Sequence, residues 1–556
     1  MNKKVLKIVL FWVLAVGVAL IATLPYLNVY SIGGDDVSAH SAVIMGLAKE
    51  IQAFHFPLGV LSNTKLGNGD ATPMFYPLLF VTIPAAFTAM GIPVVISVKI
   101  FVFILNLATF LITFWVAKRI MKRDIGAIVT AIVYTLAVYR IGDIYFRFAI
   151  GEFIVLTFMP LFLYAMYNLF YEENKKIWLM PLSFFLIINS HLVTATFAFI
   201  IFILFFIVNI YKLNKKLIKT ILISGGFTIL VSLGAILPML EQMHVQDLNV
   251  PQGWDLQFVT QQLNTIFSNK LDGWAIGWGI GYTFCILPIF LFCKHKNIER
   301  ENRRFLNVII IFSVLFLLMT TKLVGWAILG KMFDYMQFPT RLHTLFILFA
   351  SFAIGFGLLN IGLYIKNIKL RNAFNIIILL AVIANGYLVV RSIDIRNYLY
   401  DPWLWQGENV LQSVAKGHLY FPCGDYLPND YDMESVHTLA VNETTGQRYS
   451  VSLEKTKHIA QISEAGTINM PVIYYKGYSA KLITANGTVK LDVTKGDGAR
   501  VQVDVPEPGE LMLYYIGTPT LWVSRGLSYL SVLFLLFIWF RRRKYGEAID
   551  HSAMLQ

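Results

Sequence analysis

Charge is scarce in this chain. Of its 556 residues, 14% are Asp, Glu, Lys or Arg, against 57% hydrophobic residues and a mean hydropathy of +0.63. That balance excludes an ordinary soluble globular protein and reads as a polytopic membrane protein. Acids are the rarer sign, 33 against 46 bases, which leaves a formal net charge of +13. This excess does not read as a nucleic-acid surface, because Lys and Arg largely collect in short runs between apolar spans, as the positive-inside rule requires. Cysteine is nearly absent. Cys285, Cys293 and Cys423 include one in the large soluble region, so no disulfide framework is implied. No small-residue cleavage site follows the first apolar stretch, which therefore reads as an uncleaved span. No internal repeat stands out, which weighs against an inverted-repeat transporter.

What is present is a long series of apolar runs. Val5–Leu27 follows Lys3 and Lys4, so its start is expected in the cytoplasm. Leu78–Met90, interrupted by Pro84 and followed by Gly91 and Pro93, is expected to be embedded or re-entrant. Ile96–Val116, Ile125–Tyr139 and Phe153–Phe170 follow, then Ile177–Val208, which is read as two short crossings meeting outside at His191. Ile221–Leu240, Trp274–Cys293, Leu306–Met319, a span opened by Gln337-Phe338-Pro339-Thr340-Arg341, Phe374–Val390 and Leu521–Phe540 complete the set. The expectation is about twelve transmembrane helices with both ends inside. Between the last two, Arg391–Pro519 is polar, with short alternating stretches such as Tyr449–Leu453, Thr467–Ile473 and Arg500–Val505, separated by turn signals such as Asn486-Gly487. It is expected to be an extracytoplasmic β-sandwich-like domain. The organisation read from the chain is 1–391 membrane domain, 392–519 β-rich domain, and 520–556 last helix with a basic cytoplasmic tail.

The polar motifs set in apolar context all fall on the expected outer side. The first is the loop 33–77, GGDDVSAHSAVIMGLAKEIQAFHFPLGVLSNTKLGNGDATPMFYP. Asp35 and Asp36 are followed by His40, one helical turn beyond Asp36. Ile44, Leu47, Ala48, Ile51 and Phe54 then recur at helical spacing, the pattern of a helix along a membrane surface. Gly67, Gly69, Pro73 and Pro77 break regular structure around Phe75 and Tyr76. Asp35 or Asp36 is read as a general base or metal ligand; the plain alternative is an N-cap. Arg140 and Arg147 have anchoring to lipid phosphates as their plain reading, set evenly against a role in the site. Glu152 is more often a partner of Arg147 than a catalyst. His191 has a packing alternative. Arg341, a positive charge on the expected outer side, runs against the topology rule. Tyr474, Tyr475 and Tyr478 are read as sheet packing.

An Asp-Asp pair with a nearby His after the first span, then a Gly-rich stretch into Phe75-Tyr76-Pro77, resembles the GT-C superfamily of membrane glycosyltransferases. Arg147-x-x-x-Gly151-Glu152, His191 at a span junction, Gln337-Phe338-Pro339-x-Arg341 and the segment Met470–Tyr478 look more narrowly like the YfhO-like bacterial membrane proteins, some labelled pyruvoyl-tetrahydropterin synthase-related. The chain has Thr340 where an aromatic often precedes the arginine. The resemblance implies a GT-C-like fold and a hexosyltransferase of the bacterial plasma membrane. The donor would be a polyprenyl-phosphate sugar. The acceptor would be an extracytoplasmic envelope polymer such as teichoic acid, a glycolipid or a protein. It also implies roles: Asp35, Asp36 and His40 at the catalytic centre, Arg140, Arg147, His191 and Arg341 on the donor phosphate, and Glu152 and Tyr76 in support. A divalent cation, Mg or Mn, held by Asp35 and Asp36 is a further expectation. The rival readings are a transporter or flippase of a lipid-linked saccharide and a non-catalytic envelope-assembly protein.

Overall fold

The structure, a computed structural model, describes residues 2–27, 32–77, 79–251, 253–271, 277–287, 298–393, 424–431 and 438–553. Among these residues, eight helices are long and apolar enough to cross a membrane, or nine if the bent pair Asp124–Thr135 and Val138–Arg147, which turns by 40°, is one span. The chain is a multi-pass membrane protein. The expected dozen included two short crossings, and here the chain folds as two shorter apolar helices, α9 (Leu179–Ile188) and α10 (Leu192–Val208), broken at Asn189–His191. It also included Trp274–Cys293, both ends of which lie outside the described residues; within the described part, Tyr282–Ile286 forms a short 3₁₀ turn. Leu78–Met90 contains the eight-residue helix Thr82–Ala89, too short to cross.

Two helices form the centre of the bundle, α8 (Ile150–Tyr171) and the helix His343–Tyr364, and nearly all their side chains are buried. Apolar residues surround both without a polar stripe, which is the signature of a helix packed by protein on every side. The helices Lys3–Leu27, Lys215–Val245, Ile368–Arg391 and Pro519–Ala553 are more peripheral and expose Leu, Ile and Val outward. The polar groups described below sit where the two central helices begin.

Among the described residues, the polar C-terminal region forms nine strands, β1 (Leu439–Asn442), β2 (Arg448–Glu454), β3 (Lys457–Ile462), β4 (Gly466–Ile473), β5 (Tyr478–Thr484), β6 (Gly487–Leu491), β7 (Thr494–Lys495), β8 (Arg500–Val505) and β9 (Gly509–Tyr515). They make one continuous antiparallel sheet in the order β6-β5-β9-β3-β2-β1-β4-β8-β7. β6 (Gly487–Leu491) and β8 (Arg500–Val505), from opposite halves of that order, come into contact. The sheet thus curls over a core, and the sandwich-like character arises by folding one sheet rather than stacking two. Alternation supplies the core: Val501, Val503 and Val505 are buried while Asp504 is exposed. Lys457–Ile462 is also a strand, with His458, Ala460 and Ile462 inward.

This domain is anchored to the membrane region through the first long loop. Val60, Ala71, Met74 and Phe75 belong to the same apolar cluster as the sheet interior. Ile473 N–H donates to the Asn68 carbonyl at 2.9 Å, and His458 Nε2 donates to the Gly67 carbonyl at 2.6 Å. A second attachment joins Glu50, buried at the end of the helix Val37–Gln52, to His55, whose Nε2 donates to the carbonyl of Tyr515 at 2.6 Å. Glu50 also accepts from the Ser62 N–H at 2.7 Å. A third places Glu241 under Thr518 and Thr520, with Lys476 at 3.2 Å.

Candidate active site

The site is built around a wide turn. After the short helix Val138–Gly142, residues Asp143–Arg147 form a π turn, and the Ala149 N–H reaches back to the Asp143 carbonyl at 3.0 Å. One extra residue per turn sets Asp143 and Arg147 side by side, with Arg147 Nη1 2.6 Å from Asp143 Oδ1. Phe148, buried and left-handed at φ +53°, ends the turn. Arg147 Nη1 also meets Glu152 Oε2 at 3.1 Å, and Arg341 Nε stands 3.5 Å from the same oxygen. The other oxygen of Glu152 accepts from the Tyr139 hydroxyl at 2.5 Å and the Thr344 hydroxyl at 3.1 Å. A carboxylate held this way joins α8, the π turn and the start of the second central helix.

The two arginines keep donors in reserve. Arg147 makes its hydrogen bonds through Nη1. Arg341 makes one, from Nη1 to the Met336 carbonyl at 3.3 Å, and its buried Nε has no hydrogen-bond partner. Both guanidiniums lie on the ring of Phe338, at 4.7 and 4.6 Å from its centroid, and each residue is 9% exposed. Phe338 therefore fixes both planes without using an N–H. Pro339 then opens a 3₁₀ turn that carries Arg341 into the bundle.

The acidic loop is tied to this turn through its backbone. The N–H groups of Asp35 and Asp36 donate to the carbonyls of Phe146 and Arg147, both at 2.9 Å. Gly34 makes this approach feasible. Its φ is +130°, and a Cβ there would stand 2.7 Å from that of Phe148. Asp35 and Asp36 are exposed. Asp36 occupies the N-cap position of the helix Val37–Gln52 yet makes no side-chain cap bond, so the capping alternative is not realised in its geometry. It lies within electrostatic reach of His40, Tyr76, Asp143 and Arg147. His40 packs on Tyr76 and Phe148, with ring centroids 5.5 and 6.1 Å away. Burial holds its pKa below the usual histidine value, against the pull of Asp36. His191 caps α10: its Nδ1 accepts from the Thr194 N–H, so the neutral ring carries its proton on Nε2. Its ring is 6.1 Å from that of Tyr76.

Two expectations are corrected by this geometry. Arg140 does not join the group. It is fully buried among α5 (Val94–Met121), the end of the helix Asp124–Thr135, and α8. There it donates to Asn106 at 2.6 Å, Thr109 at 2.9 Å and the Thr135 carbonyl at 3.2 Å, with Phe153 against its face at 4.2 Å. Nor is the apolar face of the helix Val37–Gln52 laid along a membrane. Ile44, Leu47 and Ala48 are buried against the protein, where the helix Thr82–Ala89 packs, while Phe54 is 85% exposed. Asp143, Tyr139, Phe338 and Thr344 were not singled out from the sequence as site residues. The i,i+4 spacing of Asp143 and Arg147 was the available signal. As for a metal, among the described residues no group of three or more His, Cys, Asp and Glu side chains stands close enough to share an ion. Asp143 and Glu152 are committed to Arg147.

No protein-family model matches the chain, and no curated protein matches it. Among solved structures it is similar, at 13% identity and a TM-score of 0.38, to ArnT from Cupriavidus metallidurans bound to undecaprenyl phosphate, over 73% of this chain and 78% of that one. It is also similar to the Archaeoglobus fulgidus oligosaccharyltransferase in complex with Zn and sulfate, at 12% identity and a TM-score of 0.34, over 68% of this chain and 53% of that one, about half of its length.

Proposed function

We propose that this chain is a GT-C-type membrane glycosyltransferase. It moves a sugar, a hexose in the simplest case, from a polyprenyl-phosphate carrier to an extracytoplasmic acceptor: an envelope polymer, glycolipid or protein. One observation carries the reading. Two exposed carboxylates are pinned by their own backbone beside two nearly buried arginines that retain unused N–H donors. A transfer of this kind needs those two parts and little else.

In the step, an acceptor hydroxyl oxygen attacks the anomeric carbon and the bond from that carbon to the phosphate oxygen breaks. The hydroxyl proton passes to Asp35 or Asp36, and the lipid phosphate leaves with the bonding electron pair. A phosphate is already a good leaving group, so a strong general acid is unnecessary. What helps is positive charge held where the anion grows. Arg147 and Arg341, oriented by Glu152 and Phe338, supply it, and the Nε2–H of His191 adds a neutral donor. Glu152 acts by positioning the arginines, and no step is routed through a metal ion.

The test is sugar transfer in membranes supplied with labelled polyprenyl-phosphate sugars. Wild type should yield labelled product, and the Asp35→Asn/Asp36→Asn double variant should yield none. Equal transfer by both would remove the base from this loop, and transfer by neither would remove the donor class.

A further inference from the structure

The first turn of α8 lacks the usual satisfaction of its backbone donors. Ala149 is at the N-cap and has no side chain able to cap. Among the described residues, the N–H groups of Gly151 and Glu152 have no partner within the helix and none outside it. The carboxylate of Glu152 does not fold back onto them, because its oxygens are taken by Tyr139, Thr344, Arg147 and Arg341. Such a helix end carries roughly half a positive charge and a cluster of N–H donors.

Three side chains converge on it. The Tyr76 hydroxyl makes no hydrogen bond among the described residues, and it lies 2.2 Å from where a Gly151 Cβ would stand. Arg341, nine-tenths buried, stands beside the first turn, its Nε without a hydrogen bond and paired with the Glu152 carboxylate at 3.5 Å. Arg147 borders the same turn through Glu152. Burial, reinforced by Asp36, holds the Tyr76 phenol well above its ordinary pKa, so it remains a donor throughout the physiological range.

We propose that the N-terminus of α8 and the Tyr76 hydroxyl together form the seat of the donor's phosphate. The inference rests on the transferase reading and deepens it. The arginines provide charge, while the Gly151 and Glu152 amides and the Tyr76 O–H provide direction, each to a phosphate oxygen. Gly151 is the enabling residue, since any side chain there would displace the Tyr76 hydroxyl and collide with the Ser190 carbonyl, 2.7 Å from the same point.

The experiment uses the full chain in lipid nanodiscs and three probes: a polyprenyl phosphate, the matching polyprenol without phosphate, and inorganic phosphate. Tyr76→Phe removes one oxygen and no bulk. It should weaken polyprenyl-phosphate binding about tenfold, the scale of one hydrogen bond to a charged group, leave polyprenol binding unchanged and leave the thermal midpoint in place. Gly151→Ala should weaken the same probe at least as much. Polyprenyl-phosphate binding by Tyr76→Phe equal to wild type would overturn the seat while leaving the transferase reading intact. Wild type that binds polyprenyl phosphate no better than polyprenol would overturn both. Inorganic phosphate bound as tightly as the lipid would assign the seat to free phosphate and overturn its assignment to the donor.

Discussion

Arg140 and Arg147 stand seven residues apart, and both are buried with an aromatic ring against the guanidinium. Their surroundings separate them. Arg140 faces neutral acceptors, Asn106, Thr109 and the Thr135 carbonyl, and ties three helices together. Arg147 faces two carboxylates through a single nitrogen and keeps the rest of its fork beside an exposed acidic loop. A buried cation whose two terminal nitrogens are both taken by neutral dipoles is fastened in place. One that is charge-neutralised yet short of hydrogen bonds can still take an anionic ligand. The π turn between them makes the difference, because it sets Arg147 beside Asp143 and Glu152.

Changes to this arrangement should separate activity from stability. The largest effect is expected at the acidic loop. Asp36→Asn should lower transfer by about 10²- to 10⁴-fold if Asp36 is the base, with no shift in thermal midpoint, since its side chain is exposed. Parallel transfer and melting assays read both. Next comes Arg147→Lys, which retains the charge between Asp143 and Glu152 but loses the planar fork. Transfer should fall by about 10²-fold, the scale of one lost charge-stabilising donor. Arg140→Lys should do the reverse. It should cost about 1–3 kcal/mol of stability through unsatisfied Asn106 and Thr109, while transfer per folded molecule stays near wild type. An activity loss at Arg140→Lys as large as that at Arg147→Lys would erase the distinction.

The smallest effect concerns the attachment at His55. Burial opposes its protonation, but the Glu50 carboxylate and the Tyr515 carbonyl outweigh that, and its pKa lies above the ordinary value. A raised folded-state pKa adds stability that is fully present below the ordinary histidine value of about 6.5 and fades as pH rises through the folded value. The gap in thermal midpoint between wild type and His55→Gln should therefore be widest in mild acid and narrow toward alkaline pH. A gap that widens with pH would reverse the assignment.

Much of the architecture was readable from apolar runs and from the alternation of Arg500–Val505, because burial in lipid or in a sheet leaves a strong periodic mark. Lys457–Ile462 was not read as a strand, since its Lys, His and Gln hide the buried His458, Ala460 and Ile462. In the site, Asp35, Asp36, His40, Arg147 and Arg341 stood out as polar residues in apolar context. The division between Arg140 and Arg147 was not legible, because it depends on a π turn that leaves no compositional trace. The role of the helix Val37–Gln52 was misread for a related reason: an apolar stripe shows that one face is buried, not whether protein or lipid buries it.

The most direct measurement compares carrier binding and sugar transfer in the same purified preparations of wild type and the Asp35→Asn/Asp36→Asn variant. The division of labour described here predicts that the variant binds polyprenyl phosphate as wild type does, since the arginines and the α8 terminus are intact, and transfers no sugar. Undiminished transfer, or loss of carrier binding together with transfer, would contradict it.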